Sequence, residues 1–71
     1  MESKKEKFKR LAEARTNKII DMLDLLGNCA NKSNYEYTDD EVRVIFTAIE
    51  NAVKVTKMKF TDKQKKNKFK L

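Results

Sequence analysis

The stretch Tyr37-Thr38-Asp39-Asp40-Glu41-Val42 constrains this chain more than any other, because its residue order is that of a helix start. A threonine at the cap accepts a hydrogen bond from the amide three residues on, and a glutamate at that third position reaches back to the cap amide. Apolar residues on either side pack across the turn. Thr38, Glu41, Tyr37 and Val42 fill those four roles, so a helix is expected from Asp39 and whatever precedes it must end first. Upstream, from Ser3 to Leu26, there is neither Gly nor Pro, and the good helix formers Glu, Lys, Ala and Leu dominate. Ser3 and Glu6 repeat the capping-box spacing. Gly27, the only glycine, follows the last apolar position and suits the left-handed residue that ends a helix. The expectation is a helix over about residues 3–26, a loop over 28–37 and a helix over about 39–57. Asn and Ser in the loop favour turns by bonding their own backbone, and Cys29 and Ala30 are expected to pack beneath it. Tyr35 is expected either on the end of the helix pair or as an exposed aromatic. Beyond Lys57 the alternation Lys57-Met58-Lys59-Phe60-Thr61 admits a short strand, although a fraying helix is simpler.

At 100° per residue, Phe8, Ala12, Ile19, Met22, Leu23 and Leu26 fall within about a third of the first helix's circumference, with Leu11 and Leu25 on one flank. Arg15 falls inside that face and Lys18 on its edge, and an arginine so placed snorkels or pairs with a carboxylate, Glu50 being a candidate. On the second helix Val42, Ile45, Phe46, Ile49, Ala52, Val53, Thr56 and Phe60 make a core stripe. Val44, Ala48 and Val55 adjoin it, widening the apolar arc to about 200°, roughly twice what one neighbouring helix covers. One partner helix leaves surface over. An antiparallel two-helix hairpin dimerising into a four-helix bundle accounts for it, with Val44, Ala48, Val55, Ile45 and Ala52 at the interface. The helical domain is then 1–60 and a flexible basic tail is 61–71.

A chain of 71 residues has room for one domain and buries only about 60% of its unfolded surface, so its core is small. With one cysteine and no histidine, neither an intrachain disulfide nor an ordinary zinc site supplies the missing stability, which leaves association. No cofactor is expected. The charged start Met1-Glu2-Ser3-Lys4-Lys5-Glu6 leads into no continuous apolar run, and no stretch approaches the roughly 20 apolar residues of a membrane span, so the expected location is cytoplasmic. Asn31-Lys32-Ser33 is a chance match to a glycosylation acceptor.

The net charge of +6 matters less than its layout. Residues 1–10 carry five basic and two acidic groups, residues 11–53 four and eight, and residues 54–71 eight and one. An antiparallel hairpin would bring Lys4, Lys5, Lys7, Lys9 and Arg10 to the same end as Lys54, Lys57, Lys59, Lys63, Lys65, Lys66, Lys68 and Lys70. Lysines at that density neutralise phosphates and release counterions, giving salt-sensitive attraction to nucleic acid, DNA above all. Met58, Phe60 and Phe69 interleave the run, and Phe69 has the chemistry to stack on a base. Arg43, Thr47, Asn51 and Lys54 on the outer face of the second helix are types that read groove edges, although such a band is most often solvated. Lysines also suit a helix C-terminus and keep small proteins soluble. A membrane-surface role would need a stronger amphipathic pattern in the tail.

Asp39, Asp40 and Glu41 read as a helix start favoured by the dipole rather than as a metal site, since no second cluster supplies further ligands. Cys29 has no histidine to activate it and no glycine-rich loop offers a phosphate cradle, so no enzyme activity is expected. The function that follows is a small non-enzymatic nucleic-acid-binding protein. The alternative is a protein-binding regulator acting through the apolar face of the second helix.

The runs Leu11-Ala12-Glu13-Ala14-Arg15-Thr16-Asn17-Lys18, Leu26-Gly27-Asn28 and Asn34-Tyr35-Glu36-Tyr37-Thr38 resemble short helical proteins of uncharacterised activity carried by plasmids, phages and other mobile elements of low-GC Gram-positive bacteria. The resemblance spans roughly residues 8–60. It implies an accessory role in replication, transfer or host interference. An excess of Lys over Arg and frequent Asn also fit an AT-rich genome, which discounts lysine number as evidence of function. A ribbon-helix-helix repressor would need an N-terminal strand where residues 1–10 read as helix or tail.

Overall fold

A computed structural model describes the backbone of residues 1–65 and the side chains of residues 1–61. Over that span the chain is all-α. Helix α1 runs Lys4–Asn28 and helix α2 runs Asp39–Lys65, with no strand among the described residues. The chain divides into two units between Glu36 and Tyr37, one around each helix.

Helix α1 begins with the expected capping box. Ser3 is extended, its Oγ accepts from the Glu6 amide at 3.0 Å, and its own amide donates to Glu6 Oε1 at 3.0 Å. Two donors that a helix start leaves unpaired are thus satisfied within four residues.

The other end differs from expectation. Gly27 does not stop the helix: α1 continues through Asn28 to a cap at Cys29, and no described residue has positive φ. The last turn tightens instead, with the Cys29 amide donating to the Leu26 carbonyl at 2.9 Å and the Ala30 amide to the Gly27 carbonyl at 3.0 Å. Bonds of this i→i−3 kind satisfy terminal carbonyls without a left-handed residue. A Cβ built on Gly27 meets nothing within 4 Å. Gly27→Ala is therefore expected to stabilise α1 by about 0.5–1 kcal/mol, because alanine removes backbone freedom from the unfolded chain at no steric cost. Thermal unfolding followed by circular dichroism checks the sign; a lower midpoint would restore the left-handed cap.

In the loop the Ser33 amide donates to Asn31 Oδ1 at 2.9 Å, and the Asn34 and Tyr35 amides both donate to the Asn31 carbonyl. This is the asparagine-centred turn its composition implies. Cys29 and Ala30, however, are exposed and not packed beneath it.

Helix α2 starts where Thr38 directs. The Thr38 amide donates to Glu41 Oε1 at 2.8 Å, the Glu41 amide donates to Thr38 Oγ1 at 3.1 Å, and the Val42 amide reaches the Thr38 carbonyl at 3.1 Å. Tyr37 and Val42, the two positions of the hydrophobic staple, are both half-buried along this otherwise exposed stretch. The helix passes Lys57, where it was expected to fray, and holds to Lys65. Nothing from Lys57 onward breaks a helix, lysine is favoured near a C-terminus, and Thr61 donates its hydroxyl to the Met58 carbonyl at 3.3 Å. The two-residue alternation therefore forms no strand. Residues 61–65, expected in the tail, are helical, and 66–71 lie outside the described residues.

No described residue is buried. The half-buried ones are Leu11, Ala12 and Leu26 in the first unit and Tyr37, Val42 and Ile49 in the second. A helix in a protein is held mainly by packing its apolar face rather than by propensity, so each unit leaves open the face from which its helix would draw most of its stability.

Candidate nucleic-acid interface and apolar face

The first cluster of basic residues occupies the opening two turns of α1. Lys4, Lys5, Lys7, Lys9 and Arg10 are all exposed. At 100° per residue they point to nearly every side of the helix, so this segment is a basic stub rather than a basic stripe. The lysines among them are engaged by no carboxylate in the described residues, but Arg10 is. Its Nε donates to Glu2 Oε2 at 2.8 Å and its Nη2 to Glu2 Oε1 at 2.9 Å. Glu2 lies outside the helix, and the N-terminal arm folds back across eight residues to make this two-pronged contact. The guanidinium is thus already presenting to a carboxylate the fork with which arginine grips phosphate. Helical spacing gave no sign of the pair, because i to i+8 through a non-helical arm follows no regular pattern.

The contact leaves an electrostatic mark. The Arg10 guanidinium holds the Glu2 carboxyl below the usual carboxylate range, with desolvation opposing slightly, and the Arg10 pKa is raised in return. A group whose pKa falls on folding contributes stability that is present above its unfolded pKa and is lost as pH drops through the folded value. The Glu2–Arg10 contact is thus formed at neutral pH and opens in acid. NMR titration of the Glu2 side chain is expected to move to higher pH in Arg10→Gln; an unchanged midpoint would show the contact absent in solution.

The second basic cluster is on the C-terminal half of α2. Lys54, Lys57 and Lys59 are exposed, and none is held by a carboxylate among the described residues. Lys63 and Lys65 stand on the final turns of the helix, while Lys66, Lys68, Lys70 and Phe69 lie outside the described residues. Lys54 and Lys57 share one side with Arg43, Thr47 and Glu50, whereas Lys59 falls about 140° or more away. The lysines therefore flank α2 on two sides. Phe60 and Met58, 67% and 53% exposed, accompany them.

At the opposite end of α2 two of the three carboxylates of the first turn are committed locally. Glu41 closes the capping box, and Asp40 Oδ1 accepts from Arg43 Nη2 at 2.6 Å. Arg43 is thus tied to the acidic helix start, which weakens its reading as a groove reader. No group of three or more His, Cys, Asp or Glu residues among the described residues is arranged to hold a metal ion.

The expected interface residues are all on α2 and all open. Val44 is 67% exposed, Val55 57% and Ile45 40%, and Ala48 and Ala52 are exposed with them. Arg15 is exposed within the apolar side of α1. Among the described residues no helix is long and apolar enough to cross a membrane. The sequence matches no protein-family model, and neither a curated protein nor a solved structure matches it.

Proposed function

We propose that this chain is a small, non-enzymatic nucleic-acid-binding accessory protein that grips the phosphate backbone, chiefly of DNA, through its basic helix ends. The observation that carries the reading is the second lysine cluster: Lys54, Lys57 and Lys59 stand exposed on a helix that continues to Lys65. A helix presents them at fixed spacing, where a frayed tail would not. Lysine acts as a hydrated point charge, so the grip is electrostatic and indifferent to base sequence. Pairing α1 and α2 as an antiparallel hairpin would set Lys4, Lys5, Lys7 and Lys9 beside this cluster. Self-association through Val44, Ala48, Val55, Ile45 and Ala52 would cover the open face of α2 as a four-helix bundle and double the lysines available to one stretch of DNA.

Mobility shifts of the full chain on duplex and single-stranded DNA across a salt series test the proposal. Retardation at low salt that falls steeply as salt rises is the expected result, and none at low salt overturns it. The openness of Val44 and Val55 favours one other reading, a regulator that lays this face on a protein partner. That reading gains if light scattering finds a folded monomer that does not bind DNA.

A further inference from the structure

Six residues of α2 form a seam of their own. Glu41, Ile45, Ala48, Ala52, Val55 and Lys59 follow one another at spacings of four and three in strict alternation, the a/d pattern of helices that pack along their length. At 100° per residue they keep within an arc of about 80°. All six are exposed. The order is also symmetric about Glu50, which itself points away from the seam. Ile45 and Val55 are equally distant from it, as are Ala48 and Ala52, and as are Glu41 and Lys59.

We infer that α2 pairs with α2 of a second copy in antiparallel register, Ile45 against Val55, Ala48 against Ala52, and Glu41 at each end against Lys59 of the other copy. The inference rests on the self-association just proposed and adds its direction. A two-fold interface must be self-complementary, and a symmetric seam with opposite charges at its two ends meets that condition only when reversed. In parallel, Glu41 would face its own twin and Lys59 its own, two repulsive pairs in place of two attractive ones. The alanine pairs at the centre let the helix axes approach closely. The capping box occupies one oxygen of Glu41 and leaves its charge in place.

Cysteine exchange decides the direction. In full-length chains carrying Cys29→Ser, Ile45→Cys and Val55→Cys variants are mixed and oxidised. Antiparallel register puts residue 45 opposite residue 55 of the other copy. It also separates residue 45 from its own twin by ten residues, about 15 Å along the axis, beyond the roughly 7 Å that a disulfide spans. The mixed disulfide is therefore expected to dominate by mass spectrometry. Homodisulfides, or the statistical mixture of all three products, overturn the direction while leaving self-association standing. A parent chain that light scattering finds monomeric overturns both. Lys59→Glu, which sets a second carboxylate against Glu41, is expected to weaken association about tenfold; unchanged association counts against the register.

Discussion

Ile45→Asp is expected to leave the chain monomeric at concentrations where the parent associates, and to lower its helicity and unfolding midpoint together. Ile45 is the bulkiest apolar residue of the seam and stays 40% exposed within its own chain, so its remaining surface is the part a second copy would cover. An unpaired carboxylate forced into such a contact costs about 2 kcal/mol or more. A symmetric dimer carries two, so association weakens on the order of a thousandfold. Ile45→Leu conserves volume and apolar character and is expected to change little. Sedimentation of the two variants beside the parent provides the check. A dimer as tight in Ile45→Asp as in the parent would remove this face from the interface, and the stability loss should scale with protein concentration if association is its cause.

The second large effect concerns binding. Neutralising Lys54 and Lys57 together as glutamines, with Lys59 kept because the seam sets it against Glu41 of the second copy, is expected to lower the slope of log affinity against log salt by up to about 1.8 for each chain bound, at roughly 0.9 for each phosphate no longer neutralised. The fall in affinity between 50 and 200 mM salt would then be about 12-fold smaller than for the parent. Glutamine keeps helix propensity near that of lysine, so folding should be little affected. Titration of a fluorescent duplex at several salt concentrations measures the slope. Retention of the parental slope would place the phosphate grip elsewhere, with Lys4, Lys5, Lys7 and Lys9 the next to remove. Arg10 is a poorer choice, since phosphate must first displace Glu2 from its guanidinium.

The start of α2 was legible in the sequence to the residue and that of α1 to within one. A capping box closes between residues three apart, and so Ser3 with Glu6 and Thr38 with Glu41 carry their own geometry. The helix ends were less legible. Gly27 is equally at home in a left-handed cap and, at modest cost, in a final helical turn, and here the i→i−3 bonds at Cys29 and Ala30 take the chain out without it. Lys57-Met58-Lys59-Phe60-Thr61 alternates by composition, but continuing an existing helix adds a hydrogen bond for each residue fixed, whereas an isolated strand gains none.

The candidate site divides in the same way. That lysines crowd the two ends of the chain and carboxylates its middle was visible from residue order, as were the broad apolar arc of α2 and the acidic helix start. Which cations remain available was not. Glu2 reaches Arg10 through an arm outside the helix and Asp40 takes Arg43, so these two arginines are committed, while Lys54, Lys57 and Lys59 meet no carboxylate among the described residues of their own chain.

By itself the sequence determined that this protein is built of two helices, where each begins, and how its charge is distributed, because caps, propensity and charge order all act within a few residues. Only the folded structure decided that α1 runs past its glycine, that α2 reaches Lys65, that Cys29 is exposed and that Arg10 is held by Glu2. Each of these outcomes is a competition between alternatives of similar free energy. Such a contest is settled by the geometry the chain adopts and not by residue type alone.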